Sequence, residues 1–394
     1  MSFLVSLTDS DPNNIPENNH ISNTDGTSST QSSAHKINEL IQKTCNYTNC
    51  SNAENYESDN YSYSDNLAME QIVNIVSILV PTLFGIIVAV GLLGNSLVVV
   101  VVSCNSQMRS TTNILIINLA VADLLFIIFC VPFTAWDYAF PYWPFGDIWC
   151  KTVQYLVIVC AYASIYTLVL MSLDRFLAVV HPITSMSIRT EKNAYIAIGL
   201  LWCLILLSCI PVSQSHGELP FVIENVHYST CGFLSEEGYN LAAFHICFFL
   251  SSYVVPLALI FCLYMLMLKR LWFGNSPGGH VSAESLRSKK RVTRMVVVVV
   301  VIFAVCWCPI QIVLVLKSIN AYEITPFRLM VQITSHTLAY MNSCVNPILY
   351  AFLSDNFRKA FHKVISCNSP CNKLLLCDSF NNSSSHTKVT NSAV

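Results

Sequence analysis

The chain has 394 residues, of which 54% are apolar and only 11% charged, with a formal net charge of −2 at pH 7. About a quarter of an ordinary soluble protein is charged, so a soluble fold of this size would lack the polar surface to cover itself. The near-neutral balance also gives a nucleic-acid role no electrostatic support.

Acids and bases crowd into three islands: residues 1–70, the stretch from Lys269 to Arg294, and the tail after Ser354. The first island, to about Asn66, is rich in Ser, Asn and Thr and reads as a disordered tail over residues 1–70. Phe3-Leu4-Val5 is too short for the apolar part of a secretory signal, and no basic segment precedes it. The first membrane helix would therefore have to carry the tail across. Asn46, Asn49 and Asn60 stand in glycosylation acceptor patterns, which suit an extracellular segment. Asn381 and Asn382 match the same pattern in the opposite tail, so chance matches do occur in Asn/Ser-rich sequence.

Seven apolar runs follow within residues 71–353, each long enough for a bilayer core of ~30 Å. They are Ile72–Val102, Asn113–Trp136, Trp149–Val180, Ala194–Val212, Tyr239–Leu268, Val292–Leu316 and Phe327–Phe352. Backbone polar groups must be paired internally in lipid, so these runs are helices. They lack the two-residue alternation of a membrane barrel. The fold class is an all-α membrane protein, a seven-transmembrane helix bundle with a short amphipathic C-terminal helix. Arg109, Arg175, Arg189, Lys192, Lys269, Arg270 and the basic cluster from Arg287 to Arg294 share one side. Lys151, Lys317 and Arg328 occupy the loops of the other. The basic side faces the cytoplasm, which puts the N-terminus outside a multi-pass plasma-membrane protein.

Cys150 and Cys231 lie near the outer face, where the compartment is oxidising, and are expected to form a disulfide. Cys45 and Cys50 are either bridged or free. A hairpin is expected over about Gly217 to Phe233. After the seventh span, residues 354–366 place Phe357, Phe361, Val364 and Ile365 on one helical face and bases on the other, an interfacial helix on the inner leaflet. Cys367, Cys371 and Cys377 open the cytoplasmic tail, 367–394, in a setting that suits palmitoylation.

Polar residues inside the spans count as functional by default, because they are costly in lipid. Asp123 lies mid-span, with Asn95, Ser164, Asn342, Ser343 and Asn346 in neighbouring spans. This carboxylate either binds a small cation or is protonated and hydrogen-bonded, and periodicity does not choose between the two. Asp174-Arg175-Phe176 ends the third span, where a charged pair is also compatible with a snorkelling anchor. Pro132, Pro211, Pro256, Pro309 and Pro347 each remove a helix hydrogen bond and can set a kink.

Together these residues resemble the rhodopsin-like G-protein-coupled receptor family across the whole membrane region. The resemblance rests on Gly94-Asn95, Leu119-Ala120-Val121-Ala122-Asp123, Cys150, Asp174-Arg175-Phe176, Trp202, Pro256, Tyr264, Phe303 through Pro309, and Asn346-Pro347-Ile348-Leu349-Tyr350. It implies that Arg175, beside Asp174, engages the G protein once the sixth span swings outward, and that Tyr264 and Tyr350 stabilise the open state. It implies a packing switch of Trp307, Phe303, Ile165 and Pro256, with Asn346 and Pro347 in the seventh span. It also implies an allosteric sodium site of Asp123, Ser164, Asn342, Ser343 and Asn346, and no other cofactor. Phe176 replaces the family's usual tyrosine. Lys289 stands near where some members carry an acid, so an ion pair from Arg175 to the sixth span is not expected; Thr293 offers a weaker hydrogen bond.

By the same resemblance Val157 stands where amine receptors carry an aspartate, and Tyr340 where opsins carry the retinal lysine, which excludes both ligand classes. Gln107 through Asn113, Val131 through Ala135 and Trp143-Pro144-Phe145-Gly146 resemble the galanin-receptor-like branch and, within it, the insect allatostatin-A receptors. The implied ligand is an extracellular neuropeptide ending in an amidated Phe-Gly-Leu. Asp137, Tyr138, Gln154, Ile158, Gln311, Leu314, Gln332, His336 and Tyr340 are the candidate contacts, with bland outer-span packing as the alternative for each. The implied intracellular partners are a heterotrimeric G protein of the Gi/o class, arrestin and receptor kinases. A galanin- or somatostatin-like peptide, or a small-molecule or lipid ligand, is the alternative reading. No triad, nucleotide loop or zinc helix motif supports an enzyme, and no repeat divides the spans into the matching halves of a transporter.

Overall fold

The structure is a computed structural model, and it describes residues 56–105, 108–140, 142–223, 226–234, 238–273, 283–322 and 325–366. Asn46 and Asn49, Cys45 and Cys50, and Cys367, Cys371 and Cys377 lie outside these residues. The first helix begins at Tyr56 and runs to Ser103, so the tail boundary expected near residue 70 moves outward; Asn60 sits in its opening turns. No glycine or proline interrupts Tyr56 through Val80.

Among the described residues, six stretches are long and apolar enough to cross a membrane: Asn74–Ser103, Thr111–Ala139, Asp147–Val180, Glu191–Gln214, Leu241–Arg270 and Thr293–Ser318. These coincide with the first six expected spans. The seventh, Pro326–Leu353, is a 28-residue helix of about 42 Å, but it is more polar. Its polar groups turn inward, since Gln332, Ser335, Asn342, Ser343 and Asn346 are all buried. The first span packs on the second and seventh, the third on the second, fourth and fifth, and the sixth on the fifth and seventh. The helices thereby close into one bundle.

The prolines break or bend the helices in three ways. The second span stops at Phe129 and restarts at Val131, with Pro132 in the new first turn, where a missing N–H costs nothing. Pro211 likewise opens a new helix, Ile210–Gln214, after a break at Cys209. Before Pro256 the fifth span loosens into a π-turn, Leu250–Val254, in which the Val255 N–H reaches back to the Leu250 carbonyl. Pro309 and Pro347 sit inside continuous helices. Gly94 permits the close approach of the first and seventh spans: a Cβ there would lie 2.9 Å from Cβ of Pro347.

Polar side chains tie the spans together where packing alone would let them slide. Asn118 donates to the Thr167 hydroxyl at 2.7 Å and accepts from the Trp202 indole at 2.8 Å. One side chain thus links the second, third and fourth spans. Where the seventh span ends, the tail helix Asp355–Ser366 buries Phe357 and Phe361 against the bundle, and Phe357 packs on the Tyr350 ring at 5.5 Å.

Candidate ligand cavity and activation core

At one end the bundle holds a cavity of about 440 Å³. Its roof is the antiparallel hairpin of β1, His216–Ile223, and β2, Val226–Phe233. Three fasteners pin the hairpin over the helices. Cys150 and Cys231 form a disulfide with Cα atoms 5.5 Å apart. The Asp147 carboxylate, itself paired with Lys151 at 2.7 Å, accepts from the Glu218 N–H at 3.0 Å. Trp143 exchanges backbone and hydroxyl bonds with Ser229 at 2.8 and 3.2 Å.

The walls are mainly aromatic and aliphatic: Phe133, Trp143, Val153, Val157, Ile158, Phe233, Phe244, Phe248, Ile310 and Leu314. Trp307 forms part of the floor and stacks on Phe303 with ring centres 5.7 Å apart, above the buried Ile165. Asp137, Tyr138, Gln154, Ile158, Leu314, His336 and Tyr340 all reach the cavity. The Tyr340 hydroxyl shares a 3.1 Å hydrogen bond with Thr134, which fixes its ring edge-on to Phe126. The Tyr138 hydroxyl and the Trp307 indole N–H are buried without a hydrogen-bond partner. Each is a donor that a carbonyl inside the cavity would satisfy.

Two of the expected contacts do not line the cavity. Gln311 is 2% exposed and donates to the Ser252 hydroxyl across to the fifth span at 3.1 Å. Gln332 is equally buried, and its carbonyl accepts from Lys317 at 3.3 Å. Each amide uses one of its two polar atoms on another residue and leaves the other, Oε1 of Gln311 and Nε2 of Gln332, buried without a partner. Lys317, expected in an outer loop, belongs to the helix of the sixth span and lines the cavity. Sequence reasoning also missed Phe133, Trp143, Phe244, His245 and the hairpin residues His216, Gly232 and Phe233. The signal for the hairpin set was available, because a disulfide to Cys150 must bring the neighbours of Cys231 over the third span.

Beneath the cavity lies a polar core. Asp123 is 1% exposed, and one of its oxygens accepts from Asn346 at 2.9 Å. Its other oxygen, together with Oδ1 of Asn342 and Oδ1 of Asn95, is buried with no hydrogen-bond donor. Asn95 turns its amide N–H₂ to the carbonyls of Gly91 and Ser343, both at 2.9 Å. Ser164 and Ser343 are also buried. Three buried acceptors lacking donors, one of them a carboxylate oxygen, are a donor set that suits a small hard cation.

At the end of the bundle opposite the cavity Arg175 is buried, not snorkelling. It pairs with Asp174 through Nε at 3.0 Å and through Nη2, which also meets the Thr112 hydroxyl. Among the described residues its ion-pair partner is Asp174. The hydroxyls of Tyr264 and Tyr350 are buried and unbonded, so this conformation leaves both without the partner that another arrangement of the spans would give them.

Residues 94–350 match the family model described as 7 transmembrane receptor (rhodopsin family). The chain belongs to the rhodopsin family of seven-transmembrane receptors. It is 60% identical to the allatostatin-A receptor of Bombyx mori over 87% of this chain and 94% of that protein. It is 37% identical to the galanin-like G-protein coupled receptor npr-9 of Caenorhabditis elegans over 83% and 82% of the two chains. With galanin receptor type 1 of Homo sapiens it shares 39% identity over 72% and 81%. The protein is therefore a multi-pass membrane receptor and not an enzyme.

The receptor's hairpin roof carries a pH dependence of its own. His216 is buried between Phe233 and Phe244, and its Nδ1–H donates to the Val212 carbonyl at 2.9 Å. Burial pushes its imidazole down from 6.5 to about 4. A lowered histidine contributes stability that is complete above 6.5 and is lost as pH falls from there toward 4, because the undocked form takes up the proton first. At pH 5.5 the docked roof loses about 1.4 kcal/mol relative to the undocked form, which lowers ligand affinity by at most about tenfold. Ligand binding at pH 7.4 and 5.5 checks this; an equal fall in His216→Phe would show that the titrating group lies elsewhere.

Proposed function

We propose that this receptor binds a short extracellular neuropeptide ending in an amidated Phe-Gly-Leu and passes the signal to a heterotrimeric G protein of the Gi/o class. The N-terminus then lies outside the plasma membrane and the basic loops inside, as the lysine and arginine bias requires. The observation that carries the ligand assignment is a cavity with aromatic and aliphatic walls and buried donors at Tyr138 and Trp307, in a chain 60% identical to an allatostatin-A receptor. An amidated Phe-Gly-Leu end is apolar, aromatic and uncharged, so it asks for apolar walls and hydrogen-bond donors to its carbonyls, with no countercharge. Asp137, Tyr138, Gln154, Ile158, Leu314, His336 and Tyr340 are the contacts. Potassium-channel current or cyclic-AMP inhibition in cells expressing the receptor tests this. An amidated Tyr-Xaa-Phe-Gly-Leu peptide should act and its free-acid form should not; a response to galanin alone would transfer the assignment to the galanin branch, which the 39% relative represents.

Agonist and G protein favour the same conformer and so raise each other's affinity. In that conformer Arg175 leaves Asp174 to meet the G protein, and the free hydroxyls of Tyr264 and Tyr350 gain partners. The stacked Trp307 and Phe303 lie between the cavity and this region, next to the π-turn before Pro256, so a ligand pressing on Trp307 bears on a helix already loosened. Arrestin and receptor kinases are the further intracellular partners of this reading.

Asp123, Ser164, Asn342, Ser343 and Asn346, with Asn95 beside them, would hold a sodium ion in the inactive conformer. A bound cation supplies the positive charge that Asp123 otherwise lacks. Asp123→Asn removes the carboxylate and keeps the size. Replacing sodium by an organic cation should raise agonist affinity of the native receptor about fivefold and leave the variant unchanged; an equal sodium effect in both would contradict the site.

A further inference from the structure

A single carboxylate at the cytoplasmic end of the third span holds two arginines. Asp174 is 5% exposed. Its Oδ2 accepts from the Thr112 hydroxyl at 2.7 Å and from Arg175. Its Oδ1 accepts instead from Nε of Arg189 at 2.7 Å, while Arg189 Nη2 lies 3.4 Å from Oδ2. Arg189 follows the short loop helix Pro182–Ile188 as its capping residue. Its own carbonyl accepts from the Thr111 hydroxyl at 3.3 Å, so its backbone is tied to the second span while its side chain reaches the third. The Arg189 side chain is 26% exposed and that of Arg175 only 9%.

A buried carboxylate stripped of its countercharge is strongly disfavoured. In the reading of Arg175 given above, on which this inference rests, activation requires Arg175 to leave Asp174. The cost of that departure depends on what remains behind. Thr112 offers only a neutral hydroxyl. With Arg189 on Oδ1, Asp174 keeps a full positive charge at hydrogen-bond distance and Arg175 is released from a neutralised site. Without it, Arg175 is the sole cation on the carboxylate and is held harder.

We propose that Arg189 is a positioning residue for activation: it is the countercharge that Asp174 retains when Arg175 departs. The opposite sign is equally concrete. If Arg189 were a lock that fastens the loop to the resting state, its removal would release activity.

The test uses the full-length receptor in lipid nanodiscs, without peptide or G protein, carrying a fluorine label at the cytoplasmic end of the sixth span. Fluorine NMR then reads the fraction of molecules with that helix swung outward. Arg189→Gln should lower this fraction about fivefold, Arg189→Lys should keep most of it, and Arg189→Gln should change nothing when added to Asp174→Asn. A rise or no change in Arg189→Gln overturns the proposal. So does a fall of the same size in the Asp174→Asn background, since the effect would not then act through the carboxylate. A merely structural role would lower thermal stability in both backgrounds without moving the outward fraction. No peptide enters the sample, so failure of the neuropeptide assignment would appear in the signalling assay and not here.

Discussion

Removing the disulfide with the double substitution Cys150→Ser and Cys231→Ser is expected to weaken peptide binding about tenfold and to leave the helical bundle folded. The bridge joins residues 81 apart in sequence, and closing a loop of that length is worth about 4.5 kcal/mol in the chain-entropy account. The hairpin is not held by the disulfide alone. Asp147 still grips the Glu218 N–H, Trp143 still pairs with Ser229, and His216 still bonds Val212. Each of these returns about 1 kcal/mol, so the roof is docked for part of the time and the loss falls short of complete. The main apolar clusters, around Ile165 and Phe303 and around Phe84 and Tyr340, do not include the bridge. Saturation binding on membranes with matched surface expression measures the effect. Affinity within threefold of the native receptor would show that the roof does not shape the site.

Arg175→Gln is expected to separate binding from signalling. Peptide affinity measured without G protein should stay within about twofold, while peptide-stimulated nucleotide exchange on the G protein should fall at least tenfold. The side chain is buried and lies at the opposite end of the bundle from the cavity, so it has no route to the peptide except through the conformational equilibrium. Asp174 keeps Arg189 and Thr112 as partners in the variant, so the charge left behind is not orphaned and the fold survives. Undiminished exchange would remove Arg175 from the activation step.

Much of the architecture was legible because lipid imposes simple rules. Uninterrupted apolar runs marked the spans, but the sequence treats all five prolines alike as possible kinks and does not tell Pro132 and Pro211, which open new helices, from Pro309 and Pro347, which sit inside continuous ones. The seventh span was found from its apolar residues although Gln332, Asn342 and Asn346 lower its hydropathy; their burial is a property of the bundle and not of the run. The start of the first helix was misplaced because polar residues from Tyr56 onward look like tail until the helix below them supplies a template. The π-turn before Pro256 carries no composition signal, since it answers the clash the proline makes with the preceding turn.

The cavity was legible in part. Tyr138, His336 and Tyr340 were found because costly polar groups in an outer half-span have few places to point. Gln311 and Gln332 follow the same reasoning and fail it, because adjacent positions on a helix differ by about 100° in direction and the choice between cavity and neighbouring helix turns on that angle. The Asp174–Arg189 pair was invisible for a different reason. Its partners sit on two elements whose contact is set by the fold of the loop, and no periodicity records it.

The most direct test of the central claim is competition binding on membranes from cells expressing the full chain. The tracer is a labelled amidated Tyr-Xaa-Phe-Gly-Leu peptide, and the competitors are its unlabelled amide and free-acid forms. The account predicts saturable displacement by the amide and at least a roughly 100-fold weaker competition by the acid, because the acid loses the amide's N–H donors and must desolvate a carboxylate in a largely apolar cavity that Asp137 lines as well as Lys317. Equal competition by the two forms, or no saturable binding at confirmed surface expression, would contradict it.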